Sequence, residues 1–325
     1  MDVLVTGAAG LIASKTCEFL LKQNIKIVGI DNMNDYYDIK LKEYRLKSLK
    51  KSSNFEFHKI DIEDHIALDL LFSRNKIDIV LNLAARAGIR YSIKNPHIYF
   101  TTNTIGTLNI LEMMKKYKTR KMVLASSSSL YAGQKMPFRE DLPVNTPISP
   151  YAASKKAAEV LCYSYHYLYG IDVSIVRYFT VYGPAGRPDM SIFRFIKWIA
   201  EETPITLFGD GTEARDFTYV DDIANGTIKA MKEVGHEIIN LGGGENPIPL
   251  SYVVQKIEEY LGKKAIIVHK PLNKAEMKET WADITKANKL LNWKPLIGFD
   301  EGLKRCVDWH NDNRELISSI NCMSE

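Results

Sequence analysis

Short, dense runs of apolar residues alternate along the chain with longer stretches in which apolar positions recur every three or four residues. DVLVT (2–6), IKIVGID (25–31), FEFHKID (55–61), IDIVLNLA (77–84), KMVLASS (121–127) and DVSIVRYF (172–179) read as strands. LIASKTCEFLLKQ, HIALDLLFSR, NPHIYFTTNTIGTLNILEMMKKY and YAASKKAAEVLCYSYHYLYG read as helices between them, and a polar, Tyr-rich segment follows the second strand. Strand–helix alternation predicts an α/β fold with a doubly wound parallel sheet. IDIVLNLA is apolar almost throughout, as a strand covered on both faces must be.

The rhythm changes after residue 183. Pro and Gly cluster in YGPAGRPDM, a helix follows (IFRFIKWIAEE), and GDG marks a turn within ITLFGDGTEARDFTYV. DDIANGTIKAMK and HEIINLG resemble one more helix and strand of the first sheet. Helices are expected around 250–261, 284–292 and 300–310, with a strand near AIIVHK. The expected organisation is a nucleotide-binding domain, 1–183 plus 220–243, and a smaller mixed α/β substrate-binding lobe woven from 184–219 and 244–325.

Composition narrows the function classes. The 325 residues are 46% hydrophobic and 25% charged, with a net charge of +4. Charges of both signs are interspersed, so no basic face points to nucleic acid, and KSLKK reads as a solvated helix end. Cys17, Cys162, Cys306 and Cys322 are scattered, without metal-ligand spacing, so no metal is expected and reduced thiols are. No apolar run is long enough to span a bilayer, and no signal-peptide pattern opens the chain. A soluble, cytoplasmic protein is the expectation.

The first strand runs into T-G-A-A-G-L-I-A (6–13). Gly7 and Gly10 let the backbone turn tightly and approach a pyrophosphate, and the helix beginning near Leu11 and Ile12 offers free N–H groups to it. Ala9 lies inside the turn, and Ala13 holds the third small position. Asp31 ends the second strand, about twenty residues on, where a carboxylate accepts from adenosine ribose hydroxyls and repels a 2′-phosphate. NAD is therefore expected over NADP. Asn32, Asp61 and Ile62 are candidates to flank the nucleoside, and Leu83, Ala84 and Ala85 to border the cofactor after the fourth strand. Ser126 and Tyr178, at the ends of later strands, complete the cofactor candidates.

Tyr151 and Lys155 stand one helical turn apart. The spacing alone carries little, because Tyr36/Lys40, Tyr117/Lys121, Tyr131/Lys135, Tyr252/Lys256 and Tyr260/Lys264 repeat it. Only the pair at 151 opens a helix behind a strand that ends in a row of hydroxyls, ASSSSLY. Ligands of doubly wound sheets sit at the carboxyl ends of strands. A Tyr–Lys–Ser trio there suits hydride transfer from a carbinol. A phenolate takes the alcohol proton, a nearby cation favours the phenolate, and Ser127 shares the proton path. Working at pH 7 asks the Tyr151 phenol to fall from about 10 toward 7, worth about 4 kcal/mol.

TGAAGLIAS, DNMNDYYD, LAARAGIRYS, ASSSSLY, SPYAASK, RYFTVYGP, GRPDM and RDFTYVDDI together resemble the extended short-chain dehydrogenase/reductases, and among them the nucleotide-sugar epimerases of the UDP-glucuronate 4-epimerase type; TWADITKA fits as well. The resemblance implies a Rossmann fold, tightly held NAD, no net redox, and inversion at C4 of a UDP-sugar through a 4-keto intermediate. It assigns Ser127, Tyr151 and Lys155 to catalysis. It places Thr180 and Arg187 at the sugar and Arg215 at the pyrophosphate, a task suited to a guanidinium. Arg90, Ser128 and Ser129 are further substrate candidates.

A 4-keto uronate is a β-keto acid that loses CO₂ readily, and Ser127, Ser128, Ser129 and Thr180 form an expected hydroxyl clamp for its carboxylate. Within the same resemblance, dehydratase and decarboxylase relatives carry an acidic residue directly after the fifth strand; SSSSLY has none, which argues against them. A neutral UDP-hexose or UDP-pentose 4-epimerase, and a non-catalytic NAD-binding scaffold, stay open. The chain departs from the family pattern at Ala13, Ala132, Arg86 and the segment NKAEM (273–277). A homodimer is expected through the helices near 95–117 and 151–169.

Overall fold

The computed structural model describes residues 1–271 and 274–322. Its first half alternates as the apolar runs require: β1 Asp2–Thr6, α1 Leu11–Lys22, β2 Lys26–Ile30, α2 Ile39–Leu49, β3 Phe55–His58, α3 His65–Arg74 and β4 Ile79–Asn82. Then come α4 Ile89–Lys94, α5 Pro96–Phe100, a π-helical turn Thr101–Ile105 and α6 Gly106–Tyr117. β5 Lys121–Ser127, a 3₁₀ turn Ser128–Tyr131, α7 Pro150–Tyr169 and β6 Asp172–Tyr178 follow. The remainder holds β7 Thr180–Tyr182, α8 Ser191–Ala200, β8 Ile205–Phe208, β9 Ala214–Arg215, β10 Phe217–Tyr219, α9 Val220–Lys229 and β11 His236–Leu241. It ends with β12 Ile248–Pro249, α10 Leu250–Leu261, β13 Ile267–Lys270, α11 Thr285–Leu291, α12 Phe299–Asp312 and α13 Arg314–Ser318.

Seven strands form one sheet in the order β11-β6-β5-β4-β1-β2-β3, and every pairing in it is parallel. Successive residues of a strand face opposite sides. Val3, Val5, Val123 and Ala125 therefore join Cys17, Leu20 and Ile223 of α1 and α9 in one core. Leu4, Met122 and Leu124 join Leu68, Ile110 and Cys162 of α3, α6 and α7 in the other. The chain moves outward from β1 in both directions, so the order reverses between β1 and β4. A crevice opens at such a reversal, beyond the carboxyl ends of the strands.

The lobe has its own core, in which Ile192, Phe195 and Ile199 of α8 meet Val253 and Ile257 of α10 and Leu303 of α12. Its short strands pair two by two: β7 with β10, β9 with β12, and β8 with β13. The tail is shared between the cores, because Ala287, Leu291 and Trp293 pack on the sheet side with α1 and α9. Residues 272–273 and 323–325 of the expected lobe lie outside the described residues.

Two segments differ from the expectation. The stretch 39–49 is a helix, and its inward stripe carries Lys42 and Arg45 among Leu41, Leu46 and Leu49. Charges inside an apolar stripe blur the helical periodicity from which a helix is recognised. The single helix expected over 95–117 is broken by the π-turn, which presents Asn103 to the loop after β4. Among the described residues, no helix is long and apolar enough to cross a membrane.

Candidate active site

The Gly turn is shaped by contact. Gly7 has φ of +68°, and a Cβ built on it would stand 2.8 Å from Ala84 Cα and 2.9 Å from Ala84 N. Only glycine meets both conditions at low cost. Gly10 N–H donates to the Gly7 carbonyl at 2.8 Å, and Gly10 is the N-cap of α1 without a side-chain cap. The first N–H groups of α1, at Leu11 and Ile12, are thus left open to an anion. Asp31 is buried; its carboxylate accepts from Ala9 N–H at 3.2 Å and Met33 N–H at 2.8 Å. Asn32 donates to Asp61 at 2.7 Å. Gly7, Asp31, Asn32, Asp61, Ile62, Leu83, Ala84 and Ala85 line one cleft at the strand-order reversal. An open helix N-terminus, a cradle that a methyl would fill and a ribose-reaching carboxylate fit a dinucleotide of the NAD type.

Lys42 lines the same cleft, with Arg45 one turn further along α2, and the sequence reading singled out neither; Arg187, expected at the sugar, lines it too. Lys42 Nζ lies 3.5 Å from Asp31 Oδ1. Arg45 donates to the carbonyls of Ala9 (2.9 Å), Ala185 (2.6 Å) and Gly186 (3.2 Å), and to the Tyr37 hydroxyl (2.7 Å). Two cations at i and i+3 within an otherwise apolar helical stripe were the available signal. Arg187 forks onto Asp189, and its guanidinium lies 5.6 Å from the Tyr36 ring. It also donates to the Ala87 carbonyl at 3.4 Å, which accepts from Tyr36 (3.0 Å) and Tyr99 (3.4 Å) too.

Ser149 caps α7, accepting from Ala152 N–H at 3.2 Å, and Pro150 fills the first turn. That start sets Tyr151 at the carboxyl end of the sheet, with Tyr99 edge-on at 6.1 Å between ring centres. Burial pushes the Tyr151 phenol above its ordinary value, against the pull of the Ser127 hydrogen bond and of the Arg187 charge. Lys155 is buried and donates to the Ala125 carbonyl at 2.7 Å. Burial lowers its ammonium from 10.5 to about 8, and the Glu159 charge opposes that fall. Both burial shifts work against a phenolate–ammonium pair in the free chain, so a further positive charge is needed to make Tyr151 a base at pH 7.

The serine row divides its tasks. Ser127 is extended and faces Tyr151; it donates to the Ser129 hydroxyl and accepts from Ser129 N–H, both at 3.1 Å. Ser128 opens the 3₁₀ turn. Among the described residues, neither its hydroxyl nor that of Thr180 has a hydrogen-bond partner. Ser126 turns its hydroxyl away from the cleft and donates to Glu159 on α7 at 2.6 Å, which leaves only its backbone to border a cofactor. Strand alternation turns it to the face opposite Ser127. Tyr178 likewise pairs its hydroxyl with Thr227 at 2.7 Å and packs its ring in the sheet-side core.

At the lobe end, Arg90 lies flat over Phe208, 3.5 Å from the ring centre, and forks onto Glu276 at 2.6 and 3.0 Å. Arg215 donates to the carbonyls of Ala214 and Lys278 and feels the charges of Arg90 and Glu276. The two arginines thus face one region. Glu276 belongs to the departing segment NKAEM, whose first residue, Asn273, lies outside the described residues.

A family model described as the NAD dependent epimerase/dehydratase family matches residues 3–242. The chain belongs to this family. It is 60% identical over 317 residues to UDP-glucuronate 4-epimerase from Thermodesulfobacterium geofontis, covering 98% of each chain. Its structure matches UDP-glucuronic acid 4-epimerase from Bacillus cereus in complex with UDP-glucuronic acid and NAD, with a TM-score of 0.91, 40% identity, and coverage of 96% and 99%. UDP-glucose 4-epimerase from Thermotoga maritima matches at a TM-score of 0.88 with 29% identity, covering 97% of this chain and all of that one. The Rossmann-type doubly wound sheet expected from the apolar runs is the fold that these relatives share.

Proposed function

We propose that this protein is an NAD-dependent 4-epimerase converting UDP-glucuronate to UDP-galacturonate. The observation that carries the reading is Ser127 facing Tyr151, with Lys155 one turn on, beside a dinucleotide cleft, in a hydroxyl row without a carboxylate. The names of the relatives support the uronate. Bound NAD would supply a reversible hydride acceptor at sugar C4 and, in its oxidised form, the nicotinamide positive charge. The residues that would hold it are Gly7, Ala9, Gly10, Leu11, Ile12, Asp31, Asn32 and Asp61, with Leu83, Ala84 and Ala85 along its side.

Tyr151 takes the proton of the C4 hydroxyl and later gives it back. Lys155 steadies the phenolate, and Ser127 bridges the phenol and the sugar hydroxyl. Between the two proton transfers the 4-keto sugar turns over and presents its other face. Arg90 and Arg215 receive the diphosphate, and Arg187 sits at the sugar end. Incubation with UDP-glucuronate, UDP-glucose and UDP-xylose without added cofactor, followed by NMR at C4, tests the reading. Inversion of UDP-glucuronate is expected; inversion of another sugar alone refutes it.

Ser127, Ser128, Ser129 and Thr180 grip the uronate carboxylate out of the geometry that loses CO₂. The unpartnered hydroxyls of Ser128 and Thr180 support this role. Ser128→Ala or Thr180→Ala raises the fraction of turnovers ending in UDP-pentose about fivefold, the effect of losing a hydrogen bond of ~1 kcal/mol. NMR of the products reads this directly, and an unchanged pentose yield with intact epimerisation removes the clamp.

The protein works as a cytoplasmic homodimer. Val160, Tyr163, Tyr167 and Leu168 of α7 are more than half exposed. An apolar patch of that kind suits a second copy of the same helix pair.

A further inference from the structure

Behind the serine row runs a chain of buried polar side chains. Ser126 donates to Glu159 Oε1 at 2.6 Å. Arg177 of β6 forks onto Glu159 at 2.9 and 2.8 Å and donates to the Tyr131 hydroxyl at 2.8 Å. Tyr131 in turn donates to Asn240 of β11 at 2.8 Å. None of the five side chains is more than 4% exposed. A buried ion pair adds little stability over apolar residues of the same shape, so its presence calls for another reason.

The reason lies one turn back along α7. Glu159 is four residues from Lys155 and shares its helix face. Lys155 Nζ donates to the carbonyl of Ala125, while Glu159 accepts from the next side chain of β5, Ser126. The two groups therefore dock on consecutive residues of one strand. We propose that Glu159 is a positioning residue: clamped by Arg177 and Ser126, its fixed negative charge keeps the Lys155 ammonium charged and held to the end of β5, where it serves Tyr151. The role of Lys155 toward Tyr151 rests on the function proposed above; the electrostatic coupling between Glu159 and Lys155 does not.

The groups bearing on Lys155 are few. From α7 there are Tyr151 and Glu159, with Lys156 ion-paired to Glu159 at 3.7 Å. β5 contributes the Ala125 carbonyl, and Arg177 of β6 and Tyr131 reach it only through Glu159. Burial already lowers Lys155 to about 8, and the Glu159 charge is the cause acting upward. Removing that charge makes the ammonium lose its proton at lower pH.

The test uses NAD-loaded protein with ¹³Cε-labelled lysine, the Lys155 resonance being assigned by its absence in Lys155→Met. In Glu159→Gln, the Lys155 titration moves down by about one pH unit, and the ratio of epimerisation rates at pH 9 and pH 7 falls about fivefold. If the lone Arg177 unfolds that variant, Glu159→Gln/Arg177→Met removes both charges and gives a smaller movement in the same downward direction, because Glu159 is the partner that acts on Lys155 directly. A Lys155 titration that stays in place in whichever variant folds overturns the proposal. Failure of the wild type to invert UDP-glucuronate is a separate outcome: it sinks the proposed function, while the NMR titration still decides the coupling.

Discussion

Tyr151→Phe lowers kcat for C4 inversion by 10²- to 10⁴-fold, the range set by loss of one positioned acid–base group. The substitution removes one oxygen and leaves the ring against Tyr99. Bound NAD, read from absorbance after denaturation, stays at the wild-type level, and UDP-glucuronate affinity falls by no more than about tenfold, the effect of losing one hydrogen bond. A variant retaining a tenth or more of wild-type kcat takes the proton-transfer role away from Tyr151. In the free chain burial holds this phenol above its ordinary value. The wild-type rate of NAD-loaded protein should therefore fall as the pH drops and the phenolate takes up its proton.

Gly7→Ala has the second large effect, and it acts on the cofactor. A left-handed backbone costs a residue with a Cβ about 1–2 kcal/mol. The methyl would also press on main-chain atoms at Ala84, 2.8 and 2.9 Å away, which lack the freedom of a flexible side chain. Either the turn or the end of β4 moves, and both border the cleft. We expect NAD affinity to fall by more than ~100-fold, about 3 kcal/mol of lost complementarity. The melting temperature of the cofactor-free protein should drop by a few degrees, as ~1–2 kcal/mol implies. Fluorescence titration with NAD measures the first effect and thermal denaturation the second. Unchanged affinity would show that the Gly turn does not approach the ligand.

How much could be read beforehand depended on which physical signal a residue carries. The parallel sheet was legible because strands such as IDIVLNLA are buried on both faces and say so in every residue. The places of Gly7, Asp31, Ser127, Tyr151 and Lys155 were legible because each stands at a strand end or in the first turns of a helix. Lys42 and Arg45 were not, because their partners are backbone carbonyls and a carboxylate brought close only by folding. Glu159 and Arg177 escaped for the same reason: a helix and a strand eighteen residues apart leave no local trace of their ion pair. The Glu159 partner of the Ser126 hydroxyl was not legible, since the type of a residue in a row of four identical ones does not reveal which face of the strand it takes. The π-turn at Thr101–Ile105 has an ordinary helical composition and shows itself only in hydrogen bonding.

Arg45 makes the two halves of the molecule answer to each other. One planar guanidinium holds the carbonyl of Ala9 in the Gly turn and those of Ala185 and Gly186 in the loop that carries Arg187. A ligand that steadies either loop removes part of the entropy that the other would lose on binding. Thermodynamic linkage then requires equal factors in both directions: cofactor tightens nucleotide sugar by as much as nucleotide sugar tightens cofactor. An enzyme that must not release its cofactor during a reaction without net redox gains from that reciprocity, because the dinucleotide is gripped hardest while the oxidised sugar is still in the site.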